Sequence, residues 1–232
     1  KLGPIKYWRK RREKNTYNNK KLVAVSKGVA AEAQSGRFIM PASTTTIYNP
    51  TDITKVSALA KEPNPDIPTF PYLIHAGRVV KQKRHDILFK ALSQVPDIKL
   101  VLLCKYAKKA RKLAQKYGVA DRIITPGFQA NPYNWFANAR LLVSSSDFEG
   151  LGMNLIDALL CGTPVISTDC PYGPNEILTG ELADYLVPVN DHKALADKIN
   201  QALASPPPVD IATLRDKFSL EQAVHNYLAL CG

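Results

Sequence analysis

Two basic side chains that follow a predicted strand could hold a diphosphate. Gly77 and Arg78 come directly after the apolar run at residues 72–76, and Lys83 lies five residues after Arg78. A guanidinium offers a planar fork of donors and an ammonium a compact charge, so together they could clamp phosphate oxygens. The alternative is a solvated basic loop, because residues 81–85 contain further Lys, Arg and His side chains.

An acidic, glycine-rich segment from Ser144 to Asn154 could hold a sugar or a phosphate. It contains Glu149 and two glycines, and it joins a predicted strand to a predicted helix. Glycine lets the backbone approach a ligand closely, and a helix start offers unpaired N–H groups. Asp157 lies eight residues after Glu149 in an apolar stretch. Its carboxylate would either face solvent on the polar edge of that helix or accept hydrogen bonds from ligand hydroxyls.

Two other charged features have an ordinary explanation beside a functional one. Glu176 follows a turn at residues 171–175, where it would be either a charge at a helix start or part of a site wall. A lysine stripe lies on one face of a predicted helix, opposite an apolar face that includes Tyr106. Such a stripe is either a solvated helix face or a contact for an anionic membrane surface. The stripe comprises Lys105, Lys108, Lys109, Lys112 and Lys116, with Arg111 nearby.

Strands and helices alternate from about residue 70. The apolar runs predict strands at 22–25, 72–76, 98–103, 122–124, 140–143, 164–167 and 184–187. The amphipathic segments predict helices at 84–94, 105–117, 133–138, 151–161 and 191–204, and a proline linker at 205–208 is expected to lead into a last helix at 219–230. This alternation indicates an α/β fold with a doubly wound parallel sheet. Ligands bind beyond the carboxyl ends of such strands, which places the candidate residues on loops at one edge of the sheet.

The composition of the 232 residues is that of a globular protein with a net charge of +11. Residues 1–21 alone carry a net charge of +8, which keeps open a basic module that binds nucleic acid or a membrane surface. No apolar run reaches the ~18 residues that a membrane helix needs. The four cysteines lack metal-site spacing and are expected to be the reduced thiols of a cytosolic protein. A GxGxxG fingerprint is missing, so no nicotinamide or flavin cofactor is expected.

Three motifs in this order resemble the C-terminal, donor-binding domain of the family 4 glycosyltransferases with the GT-B fold. They are Gly77-Arg78-x4-Lys83, then Pro126-Gly127-Phe128, then the long stretch from Glu149 through Asp157 to Val165. The resemblance implies transfer of a sugar from a nucleotide-sugar donor, with retention of anomeric configuration and without a metal. It departs from the family pattern at Asp157, where the family has Glu, and at Arg84, where glycine is common.

The resemblance also implies a role for each motif. The residues that would act in catalysis are Arg78, Lys83 and Glu149, of which the first two match the family's diphosphate-binding pair. Asp157 matches the acid that holds the ribose. The remaining donor contacts would come from Gly77, from the base-reading loop at Gly127, Phe128 and Gln129, and from the backbone of Gly150, Leu151, Gly152, Met153 and Asn154.

The chain is expected to be part of a longer, cytoplasmic hexosyltransferase, peripheral at the inner face of the plasma membrane. Residues 1–36 would be the remnant of an N-terminal acceptor domain, 37–217 the nucleotide-sugar domain and 218–232 a helix that crosses back. The expected partners are a UDP-sugar, or else a GDP- or ADP-sugar, and a glycan or lipid-linked acceptor of cell-surface polysaccharide or lipopolysaccharide synthesis. An anionic membrane surface is a further expected partner, and nucleic acid is not. A nucleotide-sugar epimerase of the same fold is the alternative enzyme.

Overall fold

A six-stranded parallel sheet forms the centre of the protein. The structure, a computed structural model, describes residues 14–209 and 211–230. The strands of these ranges are β1 (Lys21–Ala24), β2 (Ser43–Thr46), β3 (Tyr72–Ala76), β4 (Lys99–Leu103), β5 (Ile123–Gly127), β6 (Leu141–Ser144), β7 (Val165–Thr168) and β8 (Leu186–Val187). The large sheet has the order β5-β4-β3-β6-β7-β8, with parallel pairing throughout. The predicted doubly wound parallel sheet is therefore confirmed.

Helices cover both faces of this sheet. They are α1 (Lys27–Gln34), α2 (Ile53–Ala60), α3 (His85–Leu92), α4 (Ala107–Lys116), α5 (Tyr133–Ala137), α6 (Met153–Leu160), α7 (Pro174–Ile177), α8 (His192–Ala204), α9 (Ile211–Phe218) and α10 (Leu220–Leu228). Among the described residues, 3-10 turns lie at Lys81–Lys83, Ala120–Arg122 and Gly180–Tyr185. No helix of the described ranges is long and apolar enough to span a bilayer.

The central strands β3, β4, β6 and β7 are buried on both sides, which explains why they appear in the sequence as largely apolar runs. On β3 and β4, Leu73, Leu100 and Leu102 belong to one buried cluster, whereas Ile74 and Val101 belong to the cluster on the opposite face. Successive strand side chains point to opposite faces, so an uninterrupted apolar run supplies both layers of the core.

The strand order reverses between β3 and β6, which places a crevice at their carboxyl ends. From β3 the chain continues outward to β4 and β5, and from β6 it continues outward on the other side to β7 and β8. Loops on either side of such a switch point diverge and leave room for a ligand. The loop after β3 carries Gly77, Arg78 and Lys83, and the loop after β6 carries Glu149.

A small parallel unit precedes the large sheet. Strand β1 confirms the strand predicted at 22–25 and pairs with β2 from Lys21 opposite Ser43 to Ala24 opposite Thr46, with α1 between them. The sequence patterns did not reveal α1, β2 or α2. The basic residues 1–13 lie outside the described residues, and the proposed division of the chain at residues 36 and 217 stays a prediction.

Two expectations near the predicted helices were wrong. The linker at 205–208 does not lead directly to the last helix, because α9 intervenes and buries Leu214 and Phe218. The last helix itself is confirmed as α10, with Ser219 as its N-cap. Tyr106 was expected on the apolar face of α4 but is 59% exposed, because it precedes the first helical residue.

Candidate functional site

Lys83 and Glu149 form an ion pair across the crevice. Lys83 Nζ lies 2.6 Å from Glu149 Oε1, and the two side chains are 14% and 10% exposed. The residues are 66 positions apart in the chain and lie on the loops that leave the two strands at the switch point. A charge pair so shielded from water interacts more strongly than a surface pair, provided that its geometry is held.

Hydrogen bonds between the two loops hold that geometry. The backbone N–H of Asp147 donates to the carbonyl of Gln82 at 2.8 Å, and Gln82 Nε2 donates to the carbonyl of Phe148 at 2.7 Å. Ser145 Oγ donates to the carbonyl of Lys83 at 2.9 Å. These hydrogen bonds connect the 3-10 turn at Lys81–Lys83 to the loop after β6 next to the ion pair.

A groove of about 370 Å³ opens beside the start of this turn. Residues that follow β3, β4 and β5 line it, among them Gly77, Arg78, Cys104, Phe128 and Gln129. Arg78 is exposed, and its guanidinium has no hydrogen-bond or ion-pair partner within residues 14–209 and 211–230. Five N–H donors on the groove wall are therefore available to a ligand.

The loop after β5 presents an aromatic face at the groove. Gly127 ends β5 at φ +93°, a conformation that glycine adopts readily. Phe128 is 76% exposed, and Gln129 Oε1 accepts a hydrogen bond from Trp135 Nε1 at 3.3 Å. An exposed phenyl ring of this kind can stack on a flat ligand, while the neighbouring amide offers hydrogen bonds.

The start of α6 offers unpaired backbone donors next to Glu149. Gly152 is the N-cap at φ +96°, and in the described part of the chain the N–H groups of residues 150–154 have no acceptor. Asn154 Nδ2 donates to the carbonyl of Ala76 at 3.2 Å, which ties the helix start to the end of β3. Gly150 packs near Val25, whereas the Leu151 side chain is buried, so only the backbone of Leu151 can reach a ligand. Such a helix start suits phosphate or hydroxyl oxygens.

Asp157 lies one turn further along α6 in a desolvated environment. Burial raises the pKa of its carboxyl from 3.8 to about 6, and the hydrogen bond that Thr51 Oγ1 donates at 3.4 Å offsets only part of this effect. Burial raises the pKa values of Tyr133 and Cys161, and the nearby Asp157 carboxylate adds to this effect. Of the two expectations for Asp157, the solvated polar edge does not hold, since the side chain is largely buried. Its contact with a ribose stays a prediction.

Glu176 caps a helix, but not the helix that the sequence indicated. Its carboxylate accepts hydrogen bonds from the backbone N–H groups of Lys27 and Gly28 at 2.8 and 2.9 Å, at the N-terminus of α1. Tyr48 donates a third at 2.9 Å, and burial together with this contact raises the Tyr48 pKa. Glu176 therefore fastens the small β1–α1–β2 unit to the large sheet.

The sequence did not indicate the contacts of three side chains near the ion pair. Arg84 donates to Asp86 and Asp147. His75 is buried, donates from Nδ1 to the carbonyl of Val143 at 2.9 Å, and has its pKa lowered to about 4, chiefly by burial. His85 packs edge-on against it with a ring separation of 4.8 Å, and burial lowers its pKa to about 3. The sequence shows only that these residues lie in or near the basic turn.

The lysine stripe, which begins just before α4 and continues along it, is exposed throughout, and one of its members also makes a hydrogen bond to the backbone. Lys109 Nζ donates to the carbonyl of Val79 at 2.6 Å and so braces the loop after β3, and Lys105, Lys108, Lys112 and Lys116 are exposed as well. Ala110 and Ala114 form the buried face of the helix. Within the described ranges, no three His, Cys, Asp or Glu side chains gather as a metal site would require.

Comparison with known proteins identifies what this arrangement resembles. A sequence model of the family described as "Glycosyl transferases group 1" matches residues 59–219. The chain is 28% identical over 174 residues to the N-acetylgalactosamine-N,N'-diacetylbacillosaminyl-diphospho-undecaprenol 4-alpha-N-acetylgalactosaminyltransferase of Campylobacter jejuni, covering 73% of this chain and 47% of that protein. It is 28% identical over 191 residues to the lipopolysaccharide 1,6-galactosyltransferase of Escherichia coli, covering 78% of this chain and 52% of that protein.

A solved structure supports the same fold. The Anabaena protein HepE, crystallised with UDP and glucose, superposes with a TM-score of 0.76 at 21% identity, covering 96% of this chain and 66% of that one. At this identity the likeness concerns the fold. The chain spans about half the length, or less, of the curated relatives that it matches.

Proposed function

Because the chain belongs to the group 1 glycosyl transferases, we propose that it binds the nucleotide-sugar donor of a retaining, metal-independent hexosyltransferase. The observation that carries the proposal is the shielded Lys83–Glu149 pair beside a groove lined by Arg78. Two cations and one carboxylate at the carboxyl edge of a parallel sheet fit a diphosphate joined to a polyhydroxyl group.

The proposed chemistry is electrostatic. When the bond between the anomeric carbon of the sugar and the diphosphate oxygen breaks, that oxygen gains negative charge. Arg78 and Lys83 would neutralise this charge, which is the task that a divalent cation performs in other enzymes. The open N–H groups of residues 150–154 would add fixed dipoles at the same place without reorganisation during the reaction.

The rest of the donor would lie along the surfaces already described. Glu149 would accept hydrogen bonds from hydroxyls of the donor sugar, so the Lys83 ammonium would bridge it and the diphosphate. Asp157 would accept from the ribose hydroxyls. The base would lie near Gly77 and stack on Phe128, with Gln129 reading its polar edge. Carboxylates and hydroxyls form charge-assisted bonds about twice as strong as neutral ones.

The acceptor and the cellular setting are proposed from the relatives. The Campylobacter enzyme is named for a lipid-linked acceptor, the Escherichia enzyme for lipopolysaccharide, and HepE was crystallised with UDP. We therefore propose a UDP-sugar before a GDP- or ADP-sugar, and a glycan or lipid-linked acceptor at the cytoplasmic face of a membrane. The exposed lysines of α4 would attract anionic lipid there.

Calorimetric titration with UDP, GDP and ADP tests the proposal. We expect one of the three to bind with EDTA present, and we expect Arg78→Ala and Lys83→Ala each to weaken it about 10- to 100-fold, as loss of a charged hydrogen bond predicts. Lys112→Ala, an exposed lysine of α4, is the matched control and should change affinity less than twofold. Absence of binding by a folded sample to all three nucleotides would refute the donor site.

A further inference from the structure

Arg84 occupies a backbone conformation that side chains rarely adopt. It lies between the 3-10 turn at Lys81–Lys83 and α3, with φ 45° and ψ 48°. A residue with a Cβ in this left-handed region is strained, and glycine is the residue that fits it without cost. Something in the surrounding structure must offset that strain if arginine is to be held there.

The Arg84 side chain supplies the offset through contacts to the first turn of α3 and to two loops. Its Nε and Nη2 donate to the two carboxylate oxygens of Asp86, both at 2.9 Å. Its Nη1 donates to Asp147 Oδ1 at 2.8 Å and also to Asn190 Oδ1. Asp86 follows β3, Asp147 follows β6 and Asn190 follows β8, so the guanidinium joins the loops on both sides of the switch point.

Only one of these contacts leads to the candidate site. Asp147 lies two residues before Glu149, and Arg84 directly follows Lys83. The Arg84–Asp147 ion pair is thus a second bridge between the same two loops that the Lys83–Glu149 pair spans. Ser145 Oγ also donates to the Arg84 carbonyl at 3.1 Å and so connects the same two loops at a third point, next to the two ion pairs.

We propose that Arg84 is a positioning residue that fixes Lys83 against Glu149 through Asp147, and that it sets the affinity for the diphosphate of the donor. The inference rests on the proposed function, because the affinity it tunes is that of the proposed donor site. A ligand clamp assembled from two loops loses affinity when the loops must be ordered on binding. Because the Arg84 ion pairs connect the loops before a ligand binds, the cost of ordering the loops on binding is reduced. The strained backbone at Arg84 is the energetic cost of this arrangement.

Asp86 and Asp147 provide a matched pair of variants. Both carboxylates bind the Arg84 guanidinium, but Asp86 belongs to α3, whereas Asp147 belongs to the loop of Glu149. We expect Asp147→Asn and Arg84→Gly each to weaken nucleoside diphosphate binding about tenfold in calorimetry. The double variant should be no weaker than either single variant, because both remove one bridge. Asp86→Asn should change the affinity less than twofold. Additive losses, or equal losses for the two aspartates, would overturn the proposal.

Hydrogen exchange of the ligand-free protein separates this proposal from the proposed function. The backbone amides of peptides that cover residues 145–150 should exchange at least tenfold faster in Asp147→Asn than in the wild type. Their exchange rates should be unchanged in Asp86→Asn. If the wild type binds no nucleotide, the donor site fails, but this exchange result still decides whether Arg84 holds the loop. Unchanged exchange in Asp147→Asn and Arg84→Gly refutes the positioning role even if nucleotide binds.

Discussion

Replacing Asp157 by Asn should stabilise the fold and weaken nucleotide binding at the proposed donor site. Burial raises the pKa of this carboxyl from 3.8 to about 6, so the native state disfavours its charged form. A shift of about two pH units corresponds to about 3 kcal/mol at 1.36 kcal/mol per unit. Asn cannot ionise and keeps an oxygen that can accept from Thr51, so Asp157→Asn should gain about this amount near pH 7.5.

The contribution of Asp157 to the stability of the folded protein depends on pH, because the folded and unfolded states bind different numbers of protons at this carboxyl. Between pH 3.8 and about 6 the native Asp157 holds more protons than the unfolded one, so wild-type stability from this group falls as the pH rises. The advantage of Asp157→Asn should therefore shrink below about 1 kcal/mol at pH 4 and reach its full value above pH 6.

Urea unfolding at a series of pH values, paired with nucleotide titration, measures both effects. If ribose hydroxyls donate to Asp157, loss of the charge should weaken nucleotide binding about tenfold, since charge-assisted bonds are about twice as strong as neutral ones. Opposite changes in stability and affinity are the signature of a functional residue. Asp184→Asn, at an exposed carboxylate, is the control and should leave both quantities unchanged. A stability gain that is absent at pH 7.5, or equal at pH 4 and 7.5, would refute the desolvation argument.

Three further substitutions probe other parts of the fold. Gly173→Ala should destabilise the protein by about 2 kcal/mol or more in urea unfolding, because its Cβ would lie 2.0 Å from a backbone oxygen and φ is +97°. Arg122→Met should cost about 2–3 kcal/mol in the same assay, since the guanidinium donates to three backbone carbonyls that end α3 and lead into β4. His85→Leu should flatten the fall in stability on acidification from pH 6.5 by about one proton, because the native imidazole, with a pKa of about 3, stays neutral while the unfolded one protonates.

Each of these substitutions has a control of the same residue type. Gly162→Ala has open space around its Cβ at φ +82° and should cost only about 1 kcal/mol, so an equal loss at both glycines would contradict the steric argument. Arg140→Met removes an exposed guanidinium and should be nearly neutral. His225→Leu removes an exposed histidine and is the control, and a fall in stability below pH 6.5 that is equally steep in both histidine variants would mean that His85 is not held neutral.

The four central strands of the large sheet, β3, β4, β6 and β7, were predictable because each contains a run of residues that is buried on both faces. Residues 72–76 match the predicted strand at both ends, and Gly118 and Gly162 follow helices as stop signals should. The missed helix α9 also has a regular pattern, with apolar residues at 211, 214 and 218. This pattern is a weak signal, because the helix has only eight residues, contains charged side chains and closely follows the prolines at 206–208. The small β1–α1–β2 unit was missed in part because strand β2 is only half-buried and composed of Ser and Thr.

Local sequence patterns were enough to predict the fold class, the edge of the sheet that carries the loops, and the candidate residues Arg78, Lys83 and Glu149, because the order of strands along the chain and the residue types do not depend on tertiary contacts. What those residues contact became known only from the packed structure. Lys83 meets Glu149 across 66 residues, Arg84 bridges two loops from a strained turn, and Asp157 is desolvated rather than solvated. A pairing or a pKa depends on neighbours that packing brings together from distant parts of the chain, and no local pattern encodes them.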